Sequence, residues 1–339
     1  MNLEERLRSL VQLGRRIDTI DSATLNAIYE RVGNQNPWFT PANINTALTG
    51  VRKLLDEAAL RSWLDPYDLD EPTPQKTIAL VLAGNVPLVG FHDIMTVFLT
   101  GNRALVKASS KDSVLTHFIV EELHAIEPRA PIEFAEQLKN FDAVIATGSD
   151  NSSRYFEYYF GKYPSIIRKN RTSCAILFGD ESEEQLAALG ADVFTYFGLG
   201  CRNVSHLFVP EGYDISRLTG PWKVHQDVIH HHKYFNNYEY QKAVFLINEV
   251  PFSDTGFVLL TGSDKAVSPV AVLFYEEYTS EEHLRARLAE MQHKIQCVVG
   301  SRPPATVPFG QAQFPEPSDY ADGVDTILFL QGLNRPVRA

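Results

Sequence analysis

The residue types most capable of chemistry gather at Phe197-Gly198-Leu199-Gly200-Cys201-Arg202-Asn203, a glycine-rich bend between two short apolar runs. Glycines on either side of Leu199 let the backbone take positive φ and come close to a substrate. The neighbouring Arg202 favours the Cys201 thiolate, which is the nucleophilic form of the side chain. The competing reading is a buried, inert thiol, a common fate for a cysteine outside disulfides. Cys201 alone does not choose between them.

Three further loops carry candidate groups. Asn85, in Gly84-Asn85-Val86-Pro87 at the tip of an apolar run, offers an amide to an oxyanion or serves a simple turn. Lys107, followed by Ser109, Ser110 and Lys111, presents ammonium and hydroxyl donors to a nucleotide phosphate or ribose, or forms a solvated turn. Thr147-Gly148-Ser149 could cradle a phosphate with backbone N–H groups at a helix start, or could be an ordinary strand-to-helix turn, and G-x-G-x-x-G is absent. His225, His230, His231 and His232 suggest a metal, but three consecutive side chains cannot converge on one ion from regular structure. No paired carboxylate stands beside them at ligand spacing, so no metal site is expected. They read as surface or pocket histidines with a general-acid option. A Ser-His-Asp hydrolase is disfavoured because the G-x-S-x-G elbow is missing.

The elements that must position these groups follow from periodicity. Residues 1–75 read as a helical N-terminal cap: Leu3, Leu7, Leu10, Val11 and Leu13 form one face and Leu48, Val51, Leu54, Leu55 and Leu60 another, with Asp21 capping between them. Trp38-Phe39 looks exposed in a connecting loop. The acidic, proline-rich run 65–74 then places a boundary near residue 75. Beyond it, strands at 76–83, 103–107 and 141–146 alternate with helices at 88–99 and 112–126. That βαβαβ order predicts an α/β fold with a parallel sheet, and the three loops named above lie at the strands' carboxyl ends. A fourth strand at 174–178 and a helix at 181–189 lead into the cysteine bend. Strands are expected at 243–247, 257–260, 270–274 and 295–299, with a helix at 281–291.

Size and composition limit the functions available. At 339 residues the chain suggests roughly two domains. A formal net charge of -11 disfavours general binding to nucleic acid or anionic membrane. The three cysteines, widely spaced and without CxxC, indicate neither a disulfide framework nor zinc, and imply a reducing, cytoplasmic setting. The N-terminus lacks the apolar core of a signal peptide. The apolar run 77–99 carries Asn85, Pro87, His92 and Asp93, so no transmembrane segment is expected.

Taken in order, several motifs resemble those of the aldehyde dehydrogenase superfamily, most closely its LuxC-type acyl-CoA reductases. They are Ala83-Gly84-Asn85-Val86-Pro87-Leu88, Thr100-Gly101-Asn102 running on to Lys107-Ala108-Ser109, Thr147-Gly148-Ser149, Gly198-Leu199-Gly200-Cys201, Ser268-Pro269-Val270, Pro308-Phe309-Gly310 and Asp319-Tyr320-Ala321-Asp322-Gly323-Val324-Asp325-Thr326. The resemblance implies an aldehyde dehydrogenase-like fold. Its parts would be the helical cap at 1–75, a Rossmann-like dinucleotide-binding domain at 76–172, an α/β catalytic domain at 173–305, and a segment at 306–339 returning to the cofactor domain or a partner subunit. It implies Cys201 as nucleophile and Asn85 as oxyanion donor. Lys107, Ser109, Ser110, Thr147, Gly148 and Ser149 would hold the cofactor. The reaction implied is reduction of an acyl-CoA or acyl-protein, fatty acyl above all, to an aldehyde.

The superfamily's hydrolytic members carry a Glu-Leu-Gly-Gly element before the cysteine, where this chain has Arg168-Lys169-Asn170-Arg171. Loss of the water-activating base suits a thioester reductase. Ser110 replaces a ribose-binding glutamate, which favours NADPH and leaves NADH possible. Homo-oligomerisation is compatible with the resemblance. The alternatives are an acyltransferase or thioesterase using the same cysteine, and a non-catalytic nucleotide-binding scaffold.

Overall fold

A computed structural model of the chain describes residues 1–69 and 74–333. Residues 70–73 of the expected linker and residues 334–339 of the C-terminal segment lie outside the described residues. The chain divides into two compact units, residues 1–170 with 315–339, and residues 171–314.

The first unit opens with four helices, α1 (Leu3–Asp18), α2 (Ser22–Gln35), α3 (Pro41–Leu54) and α4 (Glu57–Leu64). Each start is fixed by a side-chain cap. Asn2 and Glu5 form a capping box, Asp21 accepts from the Ala23 and Thr24 N–H groups, Thr40 precedes Pro41 at the first helical position, and Asp56 accepts from Ala59. The periodic leucines Leu7, Leu10, Leu13, Leu48 and Leu60 are buried in one cluster that continues into the sheet's helices. Burying each such side chain stabilises the fold by about 1.5–3 kcal/mol. Phe39, read from sequence as exposed, is only 1% exposed and belongs to this cluster.

The sheet of this unit contains β1 (Thr77–Val81), β2 (Arg103–Lys107), β3 (Ile132–Phe134), β4 (Ala143–Thr147) and β5 (Ser165–Arg168), with α5 (Phe91–Leu99), α6 (Ser113–Ile126) and α7 (Asp150–Phe160) between them. All pairings are parallel and the order is β3-β2-β1-β4-β5. The order reverses between β1 and β4, which places the crevice for a ligand at their carboxyl ends. Helix α5 starts at Phe91 rather than at residue 88, which leaves 84–90 as loop.

The second unit holds β6 (Thr172–Ile176), α8 (Glu183–Phe194), β7 (Val204–Pro210), α9 (Thr219–Trp222), α10 (His232–Ile247), β8 (Ser253–Asp254), β9 (Leu259–Gly262), β10 (Val272–Tyr278), α11 (Glu281–Met291) and β11 (Ile295–Val299). Its sheet runs β11-β6-β7-β10-β9-β8, parallel except where β8 meets β9. The expected strand at 243–247 is instead the end of α10. Tertiary context overrides the β-branched and aromatic composition of that stretch, because the helix is anchored by Tyr234 and Tyr238, four residues apart and both buried. The expected strand at 257–260 begins two residues later. The last helix, α12 (Thr326–Gly332), belongs to the first unit.

Candidate active site

Cys201 stands at the amino end of β7, on the edge of its sheet where β6 and β10 also begin. Helix α8 ends at Phe194, and Tyr196, Phe197 and Gly198 follow with φ of 55°, 58° and 75°. Gly198 takes this left-handed conformation freely, whereas each of the two aromatic residues is held there at about 1–2 kcal/mol. Gly200, also expected at positive φ, does not adopt it. The strain therefore falls earlier in the bend and on residues with side chains.

Packing and one amide side chain hold that conformation. The Phe197 ring lies 4.4 Å from His231 and 6.0 Å from Tyr234. Asn203, 1% exposed, donates from Nδ2 to the Thr195 carbonyl at 2.8 Å and the Asp192 carbonyl at 3.0 Å, and its Oδ1 accepts from Gly200 N–H at 2.8 Å. Asn203 N–H also donates to the Gly200 carbonyl at 3.1 Å. Because a trans peptide sets C=O and N–H antiparallel, the Cys201 N–H points away from this closed turn. Ser173 Oγ donates to the Cys201 carbonyl at 3.1 Å and so fixes the next peptide plane. Asn203 closes the stretch singled out in the sequence but was given no role there, and Ser173 was not singled out; the only signal was an asparagine directly before an apolar strand.

Of the three cysteines Cys201 is half-buried, whereas Cys174 and Cys297 are buried. Burial pushes the Cys174 thiol far above its ordinary range, with Cys297 adding to the effect. Cys297 lies with its sulfur 3.1 Å from Ser173 Oγ. Arg202 donates from Nε to the Ala312 carbonyl, which ties the bend to the Pro308-Phe309-Gly310 loop. Asp192, fully buried on α8, accepts from Gly310 N–H at 2.6 Å and Ala312 N–H at 2.9 Å. A small cleft, open to solvent, borders the bend and is lined by Phe194, Phe197, Gly198, Tyr234, Ser268 and Pro269. Three motifs far apart in sequence thus meet at the bend that carries Cys201.

Burial raises the Asp192 carboxyl to about 6, opposed by the two N–H donors and Arg202. A carboxyl whose folded pKa exceeds its unfolded value contributes stability that is present at low pH and lost as pH rises to the folded pKa. Asp192→Asn removes that titration and one acceptor for the Gly310–Ala312 loop. The variant is expected to be less stable throughout, by about 1 kcal/mol more at pH ~5 than at pH ~7, measured by urea denaturation. An equal loss at both pH values would show that Asp192 does not titrate in this range.

The histidines do not gather. His225 is half-buried, stacked on Phe194 and bonded through Nε2 to the Ala187 carbonyl at 3.3 Å, and burial lowers its pKa. His231 caps α10, accepting at Nδ1 from Tyr234 N–H at 3.4 Å, while His230 lies exposed 3.8 Å from Asp227. His232 stacks on His231. Among the described residues no group of three or more His, Cys, Asp or Glu side chains is placed to hold a metal ion.

In the first unit the remaining candidates share the carboxyl edge of the sheet. Asn85 follows β1, Lys107 is the exposed last residue of β2, and Thr147 ends β4. A Cβ on Gly84 would lie 2.4 Å from Ser109 Oγ, so the Asn85 loop and the segment 107–111 are pressed together. Ser109 Oγ accepts from Lys111 N–H at 3.3 Å, and Ser110 is exposed. Among the described residues Lys107 forms no ion pair. Ser149 is the N-cap of α7, accepting from Ser152 N–H at 3.2 Å, and a Cβ on Gly148 would sit 2.8 Å from both Ser152 Cβ and the Phe156 ring. The turn is therefore glycine for packing reasons, and it directs the amino end of an 11-residue helix toward the crevice. Cys201 belongs to the other unit.

Arg168 ends β5, and its guanidinium is buried. It donates to both Asp93 carboxylate oxygens at 2.8 and 2.7 Å and to Thr326 Oγ1 at 3.2 Å. The C-terminal motif adds Tyr320, whose hydroxyl is 2.9 Å from Trp63 Nε1 and 2.8 Å from the Tyr67 hydroxyl, while Tyr67 donates to Asp325 at 2.6 Å. That motif thus fastens the C-terminal segment to the helical cap of its own unit.

The fold is that of the aldehyde dehydrogenases. Aldehyde dehydrogenase C of Pseudomonas syringae, solved with NAD+ and octanal, superposes with a TM-score of 0.61 at 12% identity over 85% of this chain and 70% of that one. An NADP-dependent glyceraldehyde-3-phosphate dehydrogenase of Bacillus halodurans, solved with NADP, gives 0.59 at 13% identity over 88% of this chain and 74% of that one. In sequence, a long-chain acyl-protein thioester reductase of Photorhabdus laumondii is 23% identical over 179 residues, 47% of this chain. The match covers 36% of that relative's length. Among the described residues no helix is long and apolar enough to cross a membrane. The family model described as acyl-CoA reductase (LuxC) matches residues 6–215. The chain belongs to the LuxC acyl-CoA reductase family.

Proposed function

We propose that this protein reduces an acyl thioester, an acyl-CoA or acyl-protein with a fatty acyl group, to the aldehyde through an acyl-Cys201 intermediate. The observation that carries this reading is the strained bend that presents the half-buried Cys201 while Cys174 and Cys297 stay buried. The Cys201 thiolate attacks the thioester carbonyl carbon, and the oxyanion is held by the outward Cys201 N–H and the Asn85 amide. Collapse expels the donor thiolate, which takes a proton. A nicotinamide cofactor supplies hydride to the acyl carbon when bound. The resulting thiohemiacetal alkoxide re-forms the carbonyl and expels the Cys201 thiolate, releasing aldehyde.

The residues present fit such a cofactor. Residues 76–170 form the dinucleotide-binding part, and residues 171–314 carry the nucleophile. The helix amino end behind Thr147-Gly148-Ser149 suits a phosphate, and Lys107 with Ser109 and Ser110 suits a ribose or its 2′-phosphate. The only carboxylate nearby in sequence, Asp112, is turned inward and 2% exposed, which favours NADPH over NADH. Nicotinamide absorbance, followed with acyl-CoAs of several lengths, tests the reaction, and absence of any acyl-dependent oxidation of NADPH or NADH would sink it. Lys107→Ala is expected to raise KM for NADPH about tenfold with kcat nearly unchanged, because the contact lies away from the hydride. A kcat loss at constant KM would instead make Lys107 catalytic.

A further inference from the structure

Asp112 directly precedes α6 and by type should cap it, yet its side chain makes no capping bond. Gln35 of α2 takes that task. Its Oε1 accepts from Val114 N–H at 3.2 Å and its Nε2 donates to Ser113 Oγ at 2.6 Å. The Asp112 carboxyl is turned to the other loop instead: Oδ2 accepts from Leu88 N–H at 2.8 Å and from Thr116 Oγ1 at 3.4 Å. Oδ1 is buried and has no hydrogen-bond partner among the described residues. Leu88 sits at φ 57°, a conformation that a leucine keeps only when its surroundings impose it.

The loop carrying Asn85 is therefore gripped at both ends by one short segment. Gly84 is pressed on Ser109 and lies within 3.3 Å of Lys111 Cβ by the same Cβ construction, and Leu88 is bonded to Asp112. Asp112 N–H donates to the Ser109 carbonyl at 3.0 Å, which ties the two grips together. That segment is the one whose lysine and serines face the cofactor in the proposed function. We propose that Asp112 is a positioning residue that clamps the Asn85 loop to the segment 107–111, so that the oxyanion donor is aligned through the cofactor-binding loop. This inference rests on the function proposed above, specifically on Asn85 as oxyanion donor.

Burial pushes the Asp112 carboxyl up to about 7, opposed by Leu88 N–H and the Thr116 hydroxyl. The ionisable groups of the adjoining elements are Lys107 and Lys111 on its own segment, His117, Glu121, Glu122 and His124 on α6, Tyr29, Glu30 and Arg31 on α2, and His92 and Asp93 on α5. His117 is bonded to the Ser113 carbonyl and stacked on Phe134, and Asp93 is held by Arg168. None of these groups contributes to the Asp112 shift. Ionised Oδ2 accepts more strongly than the neutral acid, so the clamp tightens as pH rises through about 7.

The experiment compares wild type with Asp112→Asn, which is isosteric and keeps an acceptor for Leu88. Three quantities are followed from pH ~5.5 to ~8.5: the burst of CoA release on acylation, alkylation of Cys201 by iodoacetamide, and exchange protection of the Leu88 amide. The expected result is a burst rate about tenfold lower in Asp112→Asn at pH ~8, with one proton fewer in its pH dependence. Alkylation profiles and KM for NADPH should match wild type. In wild type alone, Leu88 protection should rise through pH ~7, a readout that needs no folded variant. A burst in wild type with an identical rate and pH profile in Asp112→Asn, or Leu88 protection flat across this range, would overturn the clamp while leaving the proposed reaction intact. Absence of a burst from wild type would remove the reaction, and the clamp with it.

Discussion

Cys201→Ala is expected to abolish acyl-enzyme formation and to lower thioester reduction by about 10⁴-fold or more, because the variant has no group to carry the acyl chain between donor and hydride. Intact-protein mass after mixing with an acyl-CoA should show the acyl adduct on wild type and nothing on the variant. Cys174→Ala and Cys297→Ala should acylate at rates within a few-fold of wild type. Cys174 lies in β6 with its thiol held protonated by burial, and Cys297 lies in β11 beside Ser173. Their cost should be felt in stability, at about 1–3 kcal/mol for a small cavity in a packed sheet. An adduct mapped to Cys174 or Cys297, or undiminished in Cys201→Ala, would move the nucleophile elsewhere and void the mechanism.

The cysteine bend was legible in the sequence because two glycines on either side of Leu199, directly before a cysteine, are an unusual local pattern, and the order of short motifs tied it to a family. The apolar runs around β1, β2 and β4 were legible because parallel strands buried on both faces are nearly continuous hydrophobic stretches. The edge strands β3 and β5 were missed. Ile132-Glu133-Phe134 is too short to stand out, and Ser165-Ile166-Ile167-Arg168 ends on a charge that only Asp93 explains. Helix α10 was mistaken for a strand because it is buried mainly through Tyr234 and Tyr238 and carries no continuous apolar stripe, so its apolar tail Val244-Phe245-Leu246-Ile247 dominated the pattern.

The site's supporting residues were hidden for another reason. Ser173, Asp192 and Asp112 act on groups far along the chain or across strands, and nothing in their own neighbourhoods announces it; Asn203 acts within its own bend, on carbonyls that only the folded turn brings to it. The left-handed run at Tyr196 and Phe197 shows the same limit. Sequence assigns positive φ to glycine, whereas here buried packing and the Asn203 amide impose it on aromatic residues. Strain of this kind is readable only once its enforcing partners are in place.

The position where hydrolytic relatives carry a general base should make the acyl-Cys201 intermediate long-lived. Arg168, which the resemblance puts there, cannot abstract a proton, and its guanidinium is committed to Asp93 and Thr326. General-base assistance contributes about 10²- to 10⁴-fold, so water should attack this acyl-enzyme slower by that margin than it would with a base in place, and hydrolysis should lag behind hydride transfer. Incubation with acyl-CoA alone should release one equivalent of CoA in a fast phase and leave a mass-shifted protein. NADPH added minutes later should discharge it as aldehyde in near-stoichiometric yield. Restoring a carboxylate with Arg168→Glu would strand Asp93 in a buried site, at a cost of several kcal/mol, and so is a poor way to ask the question. The wild-type decay rate asks it directly. Continuous release of free acid over many turnovers would mean that another group activates water, with His231 beside Phe197 the first to replace, and would turn the reading toward a thioesterase.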